Sequence, residues 1–163
     1  MSVAERFEAY LSAQGWRPDG SQSNAAARLD QLAHAIGVAR RSQLRPTLLA
    51  RLLTPRRAPP PRGLYLWGGV GRGKTLLVDL FVAEVGGRTR RSHFHRFMHD
   101  VHARLSTLRA SAIVDPIAAL AREVSDEVDL LCFDELFVTD IADAMILGSL
   151  FKGLTEQGVT LVI

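Results

Sequence analysis

Apolar positions along the chain follow two periods, and the change from one to the other divides it. Up to about Leu53 they recur every three to four residues, Phe7, Tyr10 and Leu11 first, then Leu29, Leu32, Ala33 and Ile36, the spacing of helices that bury one stripe. From Gly63 onward, short apolar runs alternate with longer helical patterns. Gly63-Leu64-Tyr65-Leu66-Trp67 is a β-prone run, and residues 76–85 are apolar nearly all round, as in a helix packed against a sheet, with Gly86-Gly87 as the stop. Residues 93–97 and 129–135 predict strands. Between them, Val101, Leu105 and Leu108 line one side of a helix, and Asp115-Pro116 starts another, with Asp as cap and Pro in the first turn, where its missing N–H costs little. A helix from Ile141 through Met145 and Phe151 to Leu154, stopped by Gly158, leads into a buried strand over 159–163. The alternation predicts an α/β protein: a parallel sheet covered by helices.

The two parts meet at Thr54-Pro55-Arg56-Arg57-Ala58-Pro59-Pro60-Pro61-Arg62, where four prolines remove backbone donors and fix φ. The predicted organisation is a helical arm over 1–53, a stiff linker over 54–62 and a core over 63–163. Within the arm, Asp19-Gly20-Ser21-Gln22 has the form of a capping box, Asp19 capping the helix and Gln22 reaching back to the Asp19 amide. The functional alternative for Gln22 is contact with a nucleotide base.

Composition adds limits. At 163 residues, 47% apolar and 23% charged, the chain has room for one compact α/β core and an extension. Net charge is +3, unevenly spread: up to Arg62 there are ten arginines against four acids, and beyond it ten basic against thirteen acidic residues. A basic arm attracts nucleic acid, anionic lipid or acidic partners, but the usual fate of such charge is a solvated face, and specific nucleic-acid binding is not expected. The start, Met1-Ser2-Val3-Ala4-Glu5-Arg6, lacks the layout of a secretion signal, and no apolar run approaches a membrane span, so a cytoplasmic location is expected. The one cysteine, Cys132, lies in an apolar strand and reads as a core residue, which excludes a disulfide within one chain.

The chemistry is concentrated between the first core strand and the helix that follows it. Gly68-Gly69-Val70-Gly71-Arg72-Gly73-Lys74-Thr75 matches G-x-x-x-x-G-K-[ST], the loop that cradles the phosphates of a nucleoside triphosphate. Its glycines let backbone N–H groups curl around the phosphates, Lys74 reaches the β and γ phosphates, and the Thr75 hydroxyl ligates Mg²⁺. Only two lysines, Lys74 and Lys152, occur among twenty basic Lys and Arg residues, so Lys at 74 is not the chain's ordinary surface cation. About sixty residues further on, an apolar run ends in Asp134-Glu135, the pattern of the second NTPase motif, Walker B. Asp134 would hold Mg²⁺ through its water shell, and Glu135 would orient and deprotonate the attacking water. The guanine-reading Asn-Lys-x-Asp turn is missing, the one asparagine, Asn24, being far from either lysine, which favours ATP over GTP.

His93, His95, His99 and His102 invite a zinc reading, but a strand pair and a helix pair would need a sharp turn to meet, so metal binding there is not expected. Phe97-Met98 reads as core packing, with a substrate-facing pore as the alternative. Asp140 and Asp143 read as cap and first-turn charge of the following helix.

Taken together, the segments around Lys74, His93-Phe94-His95-Arg96-Phe97-Met98, Leu131-Cys132-Phe133-Asp134-Glu135 and Val138-Thr139-Asp140-Ile141-Ala142-Asp143-Ala144-Met145 resemble the ZapE family of AAA+-type P-loop ATPases, which includes bacterial division ATPases and mitochondrial relatives. The resemblance runs from about Asp19 to the end, loosely over the arm. It implies an ATP- and Mg²⁺-dependent machine acting on division-apparatus or client proteins, peripheral to the inner membrane in bacteria and forming a homo-oligomer when complete. It also implies a strand order of 5-1-4-3-2 and, after Ile163, a sensor, a further strand, an arginine finger and a helical lid. Without the finger, worth about 10³ to 10⁵ in rate, this chain is expected to bind ATP but hydrolyse it poorly, and its first core strand to form an exposed apolar edge. The alternatives are a nucleotide-gated binding module and a helicase-loader-like protein on nucleic acid.

Overall fold

The computed structural model describes residues 1–43, 60–69 and 71–163. The part of the expected arm and linker over 44–59, and Val70 of the phosphate loop, lie outside the described residues. The elements in order are α1 (Val3–Ala13), α2 (Gly20–Gln43), α3 (Lys74–Val85), β1 (Thr89–His93), α4 (Phe94–Ala110), α5 (Pro116–Glu127), β2 (Leu130–Asp134), α6 (Ile141–Glu156) and β3 (Thr160–Val162). The three strands among the described residues are parallel in the order β1-β2-β3, with Arg91 opposite Cys132 and Cys132 opposite Val162. Segment 63–67 lies along the free side of β3: the Leu64 N–H donates to the Leu161 carbonyl at 3.0 Å, and the Ile163 N–H donates to the Leu64 carbonyl at 2.9 Å. Numbered by position in the core, this is the 1-4-3-2 part of the order the resemblance implied. Close approach explains Gly63, because a Cβ there would collide with the Leu161 carbonyl oxygen.

Alternation along β2 assigns the two faces of the sheet. Leu130 and Cys132 join a core with Phe7, Leu29, Leu77 and Phe81 from α1, α2 and α3. Leu131 and Phe133 point the other way, into a core built by Phe97, Leu105, Leu120 and Leu150 of α4, α5 and α6. Helices thus cover both faces, and the N-terminal helices supply much of one layer. Arg40 of α2 fastens that layer, donating to both carboxylate oxygens of Asp129 at 3.1 and 2.7 Å and to the Val85 carbonyl at 2.7 Å. Cys132 is fully buried in the same layer, and desolvation pushes its thiol up to about 12, which leaves it un-ionised in the core.

One expected strand is displaced. Residues 93–97 do not form a strand: β1 ends at His93, and Phe94 to Met98 open α4, with Phe94, Phe97, Met98, Val101 and Leu105 on its buried stripe. The spacing of the apolar residues from Phe94 onward is helical throughout, so this segment buries one stripe instead of pairing in the sheet. The real strand was hidden because Thr89, Arg90, Arg91 and Ser92 are polar, and its arginines are made compatible with a sheet by acids: Arg90 pairs with Asp100, and Arg91 with Asp79 and Asp134. Phe97 and Met98 are buried, so they are core residues rather than pore-facing ones. Tyr10, read as an apolar stripe position, is 48% exposed.

The caps are as the sequence predicts. The Asp115 carboxylate accepts from the Ala118 N–H at 2.9 Å, Asp140 from the Ala142 N–H at 2.6 Å, and Asp19 from the Gln22 N–H at 2.8 Å. Among the described residues, no helix is long and apolar enough to cross a membrane.

Candidate functional site

Parallel strands end on one edge of a sheet, and the loops leaving that edge are where an open α/β fold binds its ligands. Segment 63–67 and β2 both run to this edge, separated by β3 alone, so their axes are about 10 Å apart. The first delivers residues 68–75, the second Asp134 and Glu135. Alternation also puts Asp134 on the same face as Leu130 and Cys132, the side covered by α3, whose first residues are Lys74 and Thr75.

The loop is built from backbone. Gly68, Gly71 and Gly73 have φ of 150°, 78° and 76°, values that side-chain-bearing residues rarely adopt, and Gly73 is the left-handed cap from which α3 begins. The ammonium group of Lys74 folds back across the loop and donates to the carbonyls of Gly68 at 2.6 Å and Gly69 at 2.8 Å. That holds a positive charge at the mouth of the loop, beside the free N–H groups at the start of α3, where helix geometry already favours an anion. Thr75 is exposed on the first turn of α3.

The acidic end is held differently. Asp134 is half-buried, and both its oxygens accept from Arg91 of β1, from Nε at 2.8 Å and from Nη2 at 2.9 Å, a bidentate pair. The same guanidinium pairs with Asp79, which lies one helical turn after Thr75 on α3. Arg91 therefore ties the end of β2 to the helix that carries Lys74 and Thr75. Immediately after Asp134 the chain turns: Glu135 has φ 53°, in the left-handed region, and its side chain is exposed at the sheet edge. A non-glycine residue held there is the kind of local strain that clusters at functional sites.

The donor set fits Mg²⁺ with a triphosphate. A hydroxyl and a carboxylate at the loop end of a P-loop sheet are hard oxygen ligands, and Mg²⁺ bound with phosphates takes only one or two protein oxygens. Among the described residues, no group of three or more His, Cys, Asp or Glu could hold a metal by itself. The four histidines are not gathered around one point: His93 and His95 stack at 6.0 Å between ring centroids, while His102 pairs with Asp143 at 2.7 Å. Asp143 thus has that partner in addition to its first-turn position.

Three features of the site escaped the sequence reading. Asp79 and Arg91 were not singled out, although an isolated acid four residues after Thr75 in an apolar helix was a usable signal. The third is the N-terminal layer, which reaches the loop itself: the Gln22 amide nitrogen donates to the Arg72 carbonyl at 3.2 Å, and Arg72 pairs with Asp19 at 3.2 Å. Gln22 is the capping residue the sequence predicts, with base contact as the alternative given there, but its contact with the loop depends on a fold the sequence does not display.

Comparison with known proteins finds a matching family model and several relatives. A family model described as AFG1-like ATPase matches residues 1–163. The cell division protein ZapE of Escherichia coli is 55% identical over 104 residues, 63% of this chain and 27% of that protein. Lactation elevated protein 1 homolog B of Danio rerio is 48% identical over 113 residues, 63% of this chain and 22% of its own length. An uncharacterized protein of Schizosaccharomyces pombe is 43% identical over 123 residues, 72% of this chain and 26% of its own. The chain spans about a quarter of the length of these curated relatives. No solved structure matches it.

Proposed function

We propose, from the premise that the chain belongs to the AFG1-like ATPase family, that residues 68–75 bind the phosphates of ATP and that Asp134 and Glu135 serve hydrolysis of the terminal phosphate bond. The observation that carries this reading is Lys74, a cation docked on the Gly68 and Gly69 carbonyls at the mouth of a glycine loop, on the sheet edge where β2 ends in Asp134 and Glu135 follows it.

The roles follow from chemistry and position. On the sequence motif, Gly68, Gly69, Val70, Gly71, Arg72 and Gly73 are the residues assigned to supply backbone N–H groups to the phosphates, and Lys74 would exchange its carbonyl partners for phosphate oxygens. Thr75 and Asp134 hold Mg²⁺, which when bound neutralises charge developing on the phosphates. Glu135, exposed beside Asp134, accepts the proton of the attacking water. That the E. coli relative is a cell division protein supports a wider setting, in which this chain belongs to a division-type ATPase. Action on division-apparatus or client proteins, a cytoplasmic place peripheral to the inner membrane and a homo-oligomeric form belong to the same proposal.

Titration with a fluorescent ATP analogue in the presence of Mg²⁺ tests the reading. Lys74→Ala removes the one charged side chain of the loop that points at the phosphates and is expected to weaken binding by about 10²-fold. Equal affinity in the two proteins would overturn it.

A further inference from the structure

Two residues at the start of α2 each divide their polar atoms between the helix and the phosphate loop. The Asp19 carboxylate accepts from the Gln22 N–H through Oδ1 at 2.8 Å and from the Arg72 guanidinium through Oδ2 at 3.2 Å. The Gln22 side chain accepts from the Asp19 N–H through Oε1 at 2.9 Å and donates through Nε2 to the Arg72 carbonyl at 3.2 Å. A side-chain amide has an acceptor at one end and a donor at the other, so engaging Oε1 in the capping box aims Nε2 at the loop. We propose that Asp19 and Gln22 are positioning residues for the phosphate loop, which makes nucleotide affinity depend on how the N-terminal helices are seated; this rests on the ATP-binding reading above.

The argument runs through one peptide plane. The Arg72 carbonyl and the Gly73 N–H belong to the same planar trans peptide and point in opposite directions. Holding the carbonyl toward α2 therefore turns the Gly73 N–H away from α2. Gly73 is the residue most able to lose that orientation, since glycine at φ 76° has no side chain to restrict it. Phe7 of α1 closes the same place, two of its ring atoms lying 3.5 Å from where a Gly73 Cβ would stand. These supports are not a loose tail: Phe7 and Leu29 are buried with Leu77 and Phe81 of α3, and Arg6 pairs with Glu84 at 3.4 Å. Because linkage is reciprocal, ATP bound on the loop must in turn stabilise the seating of α1 and α2.

Two substitutions separate the loop contact from the helix cap. Gln22→Glu keeps the capping box but has no donor for the Arg72 carbonyl, and Asp19→Asn keeps a good cap but turns an amide NH₂ toward Arg72. They change charge in opposite senses, so simple repulsion or attraction of the nucleotide would move affinity in opposite directions. Both are expected to weaken binding of the fluorescent ATP analogue about three- to tenfold, the scale of one lost hydrogen bond, and to speed amide exchange over 68–73, with the thermal midpoint close to that of the parent. Unchanged affinity and exchange in both variants, opposite shifts, or an affinity loss that only follows a lowered midpoint would overturn the proposal. Lys74→Ala distinguishes the two claims: if binding by the parent does not depend on Lys74, the nucleotide reading fails, while exchange over 68–73 without nucleotide still decides whether Asp19 and Gln22 hold the loop.

Discussion

The phosphate loop and the acidic end of β2 face the same edge of one sheet but are supported by opposite means. The loop is exposed, glycine-built and stabilised by its own carbonyls and by atoms from α1 and α2. Asp134 extends a strand whose other residues are all buried, and a bidentate arginine fixes both its oxygens. The difference teaches where adjustment can occur. Exposed backbone with few buried contacts opens at low cost, whereas the end of a buried strand moves only with the core. A ligand with several phosphates would thus meet a preset acid on one side and a loop that can close on the other.

Breaking the acidic side at its chemistry should give the largest effect. In a form of the protein that turns over ATP, Glu135→Gln is expected to leave nucleotide binding intact and to slow phosphate release by about 10²-fold or more, as removal of a general base does. Turnover at the parent rate would remove Glu135 from the mechanism. Breaking its support tests the claim that it is preset by the core. Arg91→Gln leaves Asp79 and Asp134 without their shared cation, and with side chains only 22% exposed for Arg91 and 19% for Asp134, the expected loss is about 2 kcal/mol in urea unfolding. A loss near zero would mean the pairing is surface-like and the acidic end no more rigid than the loop. The corresponding variants on the loop side, Gln22→Glu and Asp19→Asn, are expected to alter affinity and exchange more than stability, which is the contrast in its sharpest form.

Legibility in the sequence follows the distance over which each contact is made. Lys74 and Thr75 were readable because the loop is a local object whose residue types follow from backbone curvature and one helix start. Asp134 was readable because a run of apolar residues ending in acids marks a buried strand reaching a sheet edge. The Asp19–Gln22 capping box and the Pro-started helix were equally local. Contacts that cross the fold were not readable: Gln22 and Arg72 are 50 residues apart, Asp19 and Arg72 are 53 apart, and Arg91 and Asp134 are 43 apart. Strand β1 was misplaced for a related reason, since its arginines look unsuited to a sheet until the acids that neutralise them are brought beside it.

The account stands on residues 68–75 and the end of β2 forming one nucleotide site, and the most direct test is amide hydrogen exchange with and without Mg²⁺ and ATP. Slowed exchange is predicted in peptides covering both 68–75 and 134–135 of the parent, and in neither for Lys74→Ala. Protection confined to other parts of the chain, or persisting unchanged in Lys74→Ala, would contradict it.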